Sequence, residues 1–472
     1  MSLFDKLNIF TGKEKDALNI IIVGCGKVGT TLIDCLSSEG HNVSFIDTNN
    51  EIVDKISNTY DVMGVVGSGS SYKVLIEAGI ETADLFVAVT ESDELNLLCC
   101  TIAKKVGDGC STIARVRNPD YSYEQAYLKE KLGLSMIINP ELETAKEISR
   151  LVRLPAALST NPFVKSQVEL IRFEIPTGNV LDGKVLFELQ KEFDFKFLVC
   201  TVEKEENNEV IIPNGDYQLK AGDIITIIST ARNIYFFFKK TGMIKKKITD
   251  AIIIGGSKTS YYLAKQLTDM GIQIKLIEIN KEKCNELSEA LDKVLVINGD
   301  GTDENLLLRE GLENTDAFIP LTGIDEENIL LTLYAKKITD AKVITKVNRI
   351  NFNNVIRNLE LGSVVHPKML IAEKIIAYVR GKQNSKRSGN IESLYHWCDD
   401  RVESIEFKVE QSSKITDTPL SQLNLKNNLL IACISRQGKI IIPRGDDCIK
   451  CGDNVIVVTT HIGFNDIDDI IN

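Results

Sequence analysis

Residues 18–47 constrain the fold of this chain more than any other stretch of its sequence. An apolar run at residues 19–23 stops at glycines, an amphipathic segment follows, and a second apolar run at residues 43–46 stops at Asp47. This order predicts a strand, a tight turn, a helix and a second strand, which is how a doubly wound α/β sheet begins.

The glycines of the predicted turn have the spacing of a dinucleotide-binding loop. Gly24, Gly26 and Gly29 form G-x-G-x-x-G. The first glycine permits the turn, the second lets a phosphate approach the backbone, and the third lets the helix pack closely on the strand. A phosphate would sit on the N–H groups at the positive end of the helix dipole. Asp47 could accept both hydroxyls of an adenosine ribose and would repel a 2′-phosphate. The alternative is a glycine-rich turn that binds nothing.

Apolar runs and helical periodicity continue to alternate as far as residue 138, which gives six predicted strands and a parallel sheet. Ligands bind such sheets at the carboxyl ends of the strands, near the point where the strand order reverses. The residues at or just beyond these predicted strand ends are Gly24, Asp47, Gly67 to Ser70, Thr90 to Ser92, Arg115 and Arg117.

The whole plan of the chain occurs twice. After a Pro-containing connection (Pro155, Pro162), a segment rich in short apolar runs and turn signals begins near Gln167. A basic stretch at Lys239 to Lys247, which we predict to be a solvated linker, then leads into a second α/β segment. Gly24 and Gly255 are 231 residues apart, as are Asp47 and Glu278. The predicted fold class is therefore α/β, with tandem Rossmann-like doubly wound parallel sheets, each followed by a small β-rich α+β domain. The predicted domains are residues 17–154 and 249–382 (Rossmann-like) and residues 163–241 and 400–472 (β-rich).

The two copies differ at the positions that would bind phosphate. Ser257 and Ser260 occupy the second and third glycine positions of the second copy. The positions of Arg115 and Arg117 become Lys346 and Asn348, so a bidentate cation is replaced by a point charge and a neutral amide. We therefore predict a ligand site in the first copy and a weakened or structural second copy, although Glu278 still occupies the ribose position.

One pattern after the fourth strand is shared by both copies. It consists of Thr90, Asp93, Glu94 and Asn96 in the first copy and Thr322, Asp325, Glu326 and Asn328 in the second. It predicts the start of a helix with acidic residues in its first turn. We also expect this helix start to border the ligand.

The charge and the cysteines of the chain limit the possible partners. The net charge of −11 argues against a nucleic-acid partner, because phosphate backbones attract basic surfaces. The 11 cysteines are scattered, several of them within apolar runs, which indicates reduced thiols. Cys448 and Cys451 lack further ligands at metal-site spacing, so we predict no metal site. Because no apolar run is long enough to span a bilayer and residues 1–16 do not resemble a signal peptide, we expect a cytoplasmic protein.

Several segments together resemble a known family. These are IIVGCGKVGTTL, VTESDELNLL, ARVRNP, IINPE and VIIPNGDYQLKAGDIITII, most of which are echoed in the second half. They are similar to the tandem RCK (also called KTN) architecture of the TrkA family, the regulatory subunits of Trk potassium uptake, over nearly the whole chain from Leu18. The resemblance implies a homo-oligomer, usually a tetramer, at the inner face of the cell membrane. It would dock beneath a TrkH- or TrkG-like potassium transporter and respond to NAD(H) or to ATP and ADP.

By position, the resemblance implies that Gly24, Gly26, Gly29 and Asp47 hold the nucleotide. The predicted contacts are Gly24, Cys25, Gly26, Lys27, Val28, Gly29, Asp47, Thr48, Gly67, Thr90, Glu91, Arg115 and Arg117 in the first copy and Glu278 in the second. The two arginines would meet the phosphates.

Two other functions fit the same glycine loop. An NAD-dependent oxidoreductase would need an acid and a base in the cleft. The chain has four histidines, none of them at a predicted strand end of the first copy, and His41 is expected in a solvated turn. A scaffold with vestigial nucleotide folds is the other alternative, against which the intact glycines and Asp47 argue. We therefore predict a regulatory protein without catalytic activity.

Overall fold

The structure is a computed structural model that describes residues 17–472 except 123, 205–208, 245, 349–358, 360, 384–388 and 399. Residues 1–16, which we predict to contain no signal peptide, lie outside the described residues. The chain divides between Ile138 and Asn139 into two compact units, which we describe separately.

The described part of the first unit is a doubly wound α/β domain. Its parallel sheet has the strand order β3-β2-β1-β4-β5-β6. The strands are β1 (Asn19–Val23), β2 (Asn42–Asp47), β3 (Met63–Val66), β4 (Leu85–Ala88), β5 (Ser111–Arg115) and β6 (Met136–Ile138). The helices are α1 (Lys27–Ser38), α2 (Asn50–Tyr60), α3 (Tyr72–Glu77), α4 (Asp93–Val106), α5 (Pro119–Ser122) and α6 (Gln125–Leu132), with a 3-10 turn at Ile80–Thr82.

The apolar pattern explains this domain, and the six predicted strands are confirmed. The residues of β4 are all buried, as expected for a strand covered by helices on both faces. Helix α1 buries Leu32, Ile33 and Leu36. Since Val23 pairs with Ile46 on one side and Ala88 on the other, the glycine loop starts between the ends of β2 and β4. The strand order reverses between β1 and β4, so this edge is where such a fold binds ligands.

The described part of the second unit contains α7, the first β-rich domain, the second α/β domain and the second β-rich domain. Its sheets have the orders β10-β9-β11-β8-β7 (antiparallel), β14-β13-β12-β15-β16-β17 (parallel) and β18-β19-β22-β20-β21 (antiparallel). Helix α7 (Pro140–Arg153) precedes β7 (Ser159–Phe163), β8 (Val168–Glu174), α8 (Leu186–Leu189), β9 (Leu198–Glu203), β10 (Val210–Ile211), β11 (Ile224–Thr230) and α9 (Ala231–Lys240).

The second α/β domain repeats the first. Its elements are β12 (Asp250–Ile254), α10 (Lys258–Asp269), β13 (Gln273–Glu278), α11 (Lys281–Ala290), β14 (Val294–Asn298), α12 (Glu304–Arg309), β15 (Ala317–Pro320), α13 (Asp325–Ile338), β16 (Lys342–Lys346), β17 (Ser363–Val365) and α14 (Pro367–Gln383). The last domain contains β18 (Gly389–Trp397), β19 (Val402–Val409), β20 (Leu429–Arg436), β21 (Lys439–Ile441) and β22 (Asn454–Thr459). The 3-10 turns of this unit are Gln190–Glu192, Leu312–Asn314, Leu420–Gln422 and Ile467–Ile470.

The structure differs from the sequence-based expectation on both sides of the first β-rich domain. The Pro155 to Pro162 segment, expected as a connection, includes edge strand β7, where Pro162 is tolerated because an edge residue can do without its N–H. Lys239 and Lys240, expected in a solvated basic linker, belong to helix α9, which buries Ile234, Phe237 and Phe238.

The parts of the second unit pack on one another. Helix α7 lies against α10, where Asn139 Nδ2 donates to Tyr262 Oη at 3.1 Å and Ser149 Oγ donates to Gln266 at 2.8 Å. The two β-rich domains share a core that includes Phe163 and Trp397. No helix in the described ranges combines the length and the hydropathy needed to cross a membrane.

Candidate functional site

The glycine loop after β1 adopts the conformation that its sequence predicts. Gly24 has φ +91°, and a Cβ atom there would lie 2.9 Å from the backbone N and Cα of Thr90. A Cβ at Gly29 would lie 1.9 Å from the Gly24 carbonyl oxygen. These two glycines bring loop, strand end and helix together because no larger residue fits.

The start of α1 is open. Gly26 is its N-cap residue, and no side chain among the described residues caps it. The first intrahelical bond runs from the Thr30 N–H to the Gly26 carbonyl at 3.0 Å. The N–H groups of the first turn, Lys27 to Gly29, have no intrahelical acceptor in such a helix. A Cβ at Gly26 would meet nothing within 4 Å, so the space beside these amides can admit a phosphate.

Asp47 connects the end of β2 to the glycine loop. Its Oδ2 accepts the Cys25 N–H at 2.7 Å, and its Oδ1 accepts the Asn49 N–H at 2.9 Å. The carboxylate is half-buried and the next residue, Thr48, is exposed. Because each carboxylate oxygen has two acceptor sites, Asp47 can hold the loop and still accept ribose hydroxyls.

Cys25 lies inside the loop as a buried thiol. Burial, and secondarily the Asp47 carboxylate, raise its pKa far above the ordinary value of a thiol. The thiol therefore stays protonated, which makes Cys25 a packing residue with a useful backbone amide and no nucleophile.

Gly67 is explained by packing. Its N–H donates to the Asp47 carbonyl at 2.9 Å, and a Cβ there would lie 2.6 Å from Val74 Cγ2. Gly67 therefore lies beside Asp47 and contacts its backbone carbonyl.

The end of β4 is fixed by a buried amide. Asn96 Oδ1 accepts the Thr90 N–H at 2.8 Å and the Thr90 hydroxyl at 2.7 Å. Its Nδ2 donates to the carbonyl of Arg115, the last residue of β5, at 2.9 Å. In the second copy, Asn328 bonds the Thr322 N–H (2.9 Å) and the Lys346 carbonyl (3.1 Å). The shared pattern therefore ties two strand ends together beside the glycine loop.

Asp93 has a larger role than that of an acidic residue in a first helical turn. The actual cap of α4 is Ser92, whose Oγ accepts the Leu95 N–H. Asp93 is buried, and its Oδ2 accepts the N–H groups of Arg117 and Asn118, both at 2.7 Å. The Arg117 Nε donates to Asp93 Oδ1 at 3.3 Å, and its guanidinium also donates to the Glu91 carbonyl. The pairing of Asp93 with Arg117 was not predicted from the sequence, in which the repeated Asp93/Asp325 position was the one available signal.

The second copy satisfies the same positions internally. Ser257 caps α10 with its own Oγ, which accepts the Ser260 N–H at 3.3 Å. Glu278 accepts the Gly256 N–H at 2.5 Å, so it holds its loop as Asp47 does. The buried Lys346 ammonium donates to the Leu321 carbonyl at 3.0 Å. The side chains of this copy therefore use the helix start that is open in the first copy.

His41 is buried at the end of the sheet that lies away from the glycine loop. The prediction of a solvated His41 is wrong: it is 7% exposed and its Nδ1 accepts the Leu18 N–H at 3.3 Å. It lies just before the amino end of β2, whereas the glycine loop lies at the carboxyl ends of the strands. Within the described residues, no three His, Cys, Asp or Glu side chains are grouped as metal ligands.

Comparison with known proteins agrees with this geometry. The TrkA-N domain family matches residues 20–140 and 251–367, and the TrkA-C domain family matches residues 170–242 and 405–472. The chain is 31% identical over 443 residues to the Trk system potassium uptake protein TrkA of Haemophilus influenzae, covering 93% of this chain and 95% of the relative. It is also 31% identical over 451 residues to a TrkA homolog of Methanosarcina mazei, covering 93% and 97%.

Solved structures share the fold. The GsuK channel bound to NAD has a TM-score of 0.62 at 17% identity and covers 97% of this chain and 80% of its own. The GsuK RCK domain has a TM-score of 0.62 at 16% identity, covering 94% and 93%. The predicted fold class and the predicted resemblance are both confirmed. With both domains matched in both copies and such relatives along nearly its whole length, this chain belongs to the TrkA family of potassium uptake proteins.

Proposed function

We propose that this chain is the nucleotide-sensing regulatory subunit of a Trk-type potassium uptake system and that the nucleotide binds mainly in the first Rossmann-like domain. The observation that carries this proposal is the uncapped start of α1 beside the open space at Gly26. Asp47 stands next to it at the end of the neighbouring strand.

The ligand is an adenine nucleotide of the NAD(H) or ATP/ADP type. The first-turn amides receive a phosphate, and Asp47 accepts the ribose hydroxyls. A solved structure with the same fold is described as a channel bound to NAD, which supports this ligand class. Arg115 and Arg117, at and just after the end of β5, supply positive charge to the same edge of the sheet.

The second copy serves mainly as a structural partner. Ser257 Oγ accepts the Ser260 N–H at 3.3 Å, so one of the first-turn amides that a phosphate would use is already bonded. A ligand there would first have to displace contacts that the chain makes with itself.

Regulation requires that the nucleotide has different affinities for two arrangements of the subunit. Helices α7 and α14, which follow the last strand of each Rossmann-like domain, carry the change to other copies and to the membrane transporter. A coupling free energy of about 1–3 kcal/mol gives roughly a 5- to 150-fold effect. The working assembly is a homotetramer in the cytoplasm, held at the inner face of the membrane by the transporter and not by insertion of this chain.

The proposal is tested by placing a methyl group where the phosphate would approach. Gly26→Ala fits the ligand-free fold, because its φ is −68° and its Cβ position is empty. We expect the affinity for ADP and NADH, measured by calorimetry on the full chain, to fall at least about tenfold, as for an overpacked site. NADH oxidation would be followed in the same samples, because an oxidoreductase would consume NADH whereas a sensor would only bind it.

The matched control is Ser257→Ala, which places alanine at the equivalent position of the second copy. It should leave nucleotide affinity unchanged while weakening the cap of α10. Unchanged binding by Gly26→Ala, or equal losses in both variants, would refute the assignment to the first copy.

A further inference from the structure

Arg117 forms an ion pair with Asp93, an acidic residue of its own domain. Its Nε donates to Asp93 Oδ1 at 3.3 Å, and the guanidinium also donates to the Glu91 carbonyl. The Asp93 side chain is 5% exposed and the Arg117 side chain is 20% exposed. The carboxylate is therefore buried, while the guanidinium side chain remains partly accessible to solvent. A charge pair at such a boundary interacts more strongly than a pair on the open surface.

This ion pair stands at the edge of the proposed nucleotide site. Glu91 follows Thr90, and the Thr90 backbone is the group that a Cβ on Gly24 would strike at 2.9 Å. The guanidinium is therefore tethered one residue away from the contact with the glycine loop.

Comparison of the two copies separates the structural part of this arrangement from the rest. Asp325, the counterpart of Asp93, accepts the backbone N–H of Asn348 and its side-chain Nδ2, both at 2.9 Å. The loop after the fifth strand is thus fixed by an acid and a backbone amide in both copies. In the first copy, where the glycine loop is also intact, Arg117 places a guanidinium at the position that Asn348 occupies in the second copy.

We propose that Asp93 is an internal counter-ion that competes with nucleotide phosphate for Arg117. This inference rests on the proposed function, since it concerns the same site. Without ligand, the guanidinium stays with Asp93. A phosphate group with a higher negative charge draws the guanidinium away, while Asp93 keeps its bonds to the backbone amides of Arg117 and Asn118. Asp93 thereby makes the site respond to phosphate charge, favouring ADP or ATP over AMP and adenosine.

Asp93→Asn tests this proposal with little change in shape. The Asn Oδ1 can still accept the two loop amides, whereas its NH₂ group cannot accept a bond from the Arg117 Nε. We expect the affinity of the full chain for ADP and ATP, measured by calorimetry, to rise about fivefold or more. The reason is that phosphate binding no longer has to break the ion pair between Arg117 and Asp93. The affinity for adenosine should not change.

The matched control is Asp325→Asn in the second copy, where Asn348 stands at the position of Arg117. This variant should leave both affinities unchanged. If Asp93→Asn lowers ADP affinity or leaves it unchanged while the wild type binds ADP, Asp93 is only a structural support and the inference is overturned. If the wild type binds neither ADP nor NADH, the proposed function itself fails. Should Asp93→Asn not fold, Arg117→Gln decides: the ratio of ADP to adenosine affinity must fall, and an unchanged ratio overturns the inference.

Discussion

Individual glycines in the first loop perform different tasks although they belong to one motif. Gly24 and Gly29 are required because atoms of Thr90 and of the loop itself occupy the space of a side chain. Gly26 has empty space around it, which the fold does not need. The same substitution should therefore affect stability at one position and binding at another.

Gly29→Ala should destabilise the first unit. Its Cβ would lie 1.9 Å from the Gly24 carbonyl oxygen, so helix α1 would have to move away from the strand. We expect the free energy of unfolding of this unit to fall by about 3 kcal/mol, the upper end of the usual range for overpacking. Urea unfolding followed by circular dichroism measures this change. Gly26→Ala is the control, and equal stabilities of the two variants would contradict the packing argument.

The sequence predicted Asp47 and the glycines because their roles depend on short, fixed spacings after a strand. It could not predict that Arg117 pairs with Asp93, because these residues are 24 positions apart and meet only through the loops after β4 and β5. It also could not show that Ser257 caps its own helix, since a serine at that position is compatible with several hydrogen-bond partners.

At the scale of elements, the two crossover helices are attached to their β-rich domains in the same way. Arg153 at the end of α7 pairs with Glu169 on β8, and Arg380 near the end of α14 pairs with Glu403 on β19 at 3.0 Å. The second pair is fully enclosed, with side-chain exposures of 4% and 0%. Removal of one partner from an enclosed pair leaves a buried unpaired charge, so this junction depends more strongly on its ion pair than the first one does.

A buried carboxyl at this junction should make stability depend on pH. Glu373 on α14 accepts the His396 N–H at 3.2 Å. Burial raises its pKa to about 7, with Asp400 and Glu147 of α7 also raising it and His396 lowering it. In the unfolded chain the group loses its proton near pH 4.5, whereas the folded chain keeps the proton to about pH 7. Stability should therefore fall as pH rises between these values, by at most about 3 kcal/mol.

Glu373→Gln removes this titration. Urea unfolding of the full chain at pH 5, 6, 7 and 8 should show a stability of the second unit that falls less steeply with pH in the variant than in the wild type. Glu289→Gln, an exposed position on α11, provides the comparison and should follow the wild type. Parallel pH profiles of wild type and Glu373→Gln would show that this carboxyl does not govern the junction.

Elements were predicted well where buried strands had continuous apolar runs, and less well at a polar edge strand and at one aromatic-rich helix. Strands such as β1 and β4 are nearly or fully buried, so their composition identifies them. Strand β7 reads STNPF, and pairing with β8 forms it despite a polar and Pro-containing sequence. Helix α9 contains an aromatic run that suits a strand equally well, and burial of one helical face decides its structure.

The chain is a duplication whose two copies share an architecture and differ at the start of the helix that follows the glycine loop. Both halves keep the strand order, the acid that holds the glycine loop and the buried asparagine between strand ends. They differ at the backbone N–H groups in the first turn of the first helix. Within the described part of the chain, no side chain caps this helix at Gly26, whereas Ser257 caps its counterpart in the second copy. A duplicated fold can keep its architecture while one copy loses the binding site, because the architecture depends on packing and the site on a few exposed amides.

This asymmetry predicts how the full chain unfolds with and without nucleotide. Residues 17–138 and 139–472 belong to different compact units, so we expect two transitions in scanning calorimetry. ADP at about 100 times its dissociation constant should stabilise the first unit by about 2.7 kcal/mol, because a ligand that binds only the folded state adds its binding free energy. The transition of the second unit should stay in place. At the same ADP concentration, Gly26→Ala should reduce the stabilisation of the first unit to about 1.4 kcal/mol or less, in keeping with an affinity at least about tenfold lower. A shift confined to the larger unit, or equal shifts of both transitions, would show that the serine-capped copy binds nucleotide and that the open helix start at Gly26 does not determine where the ligand goes.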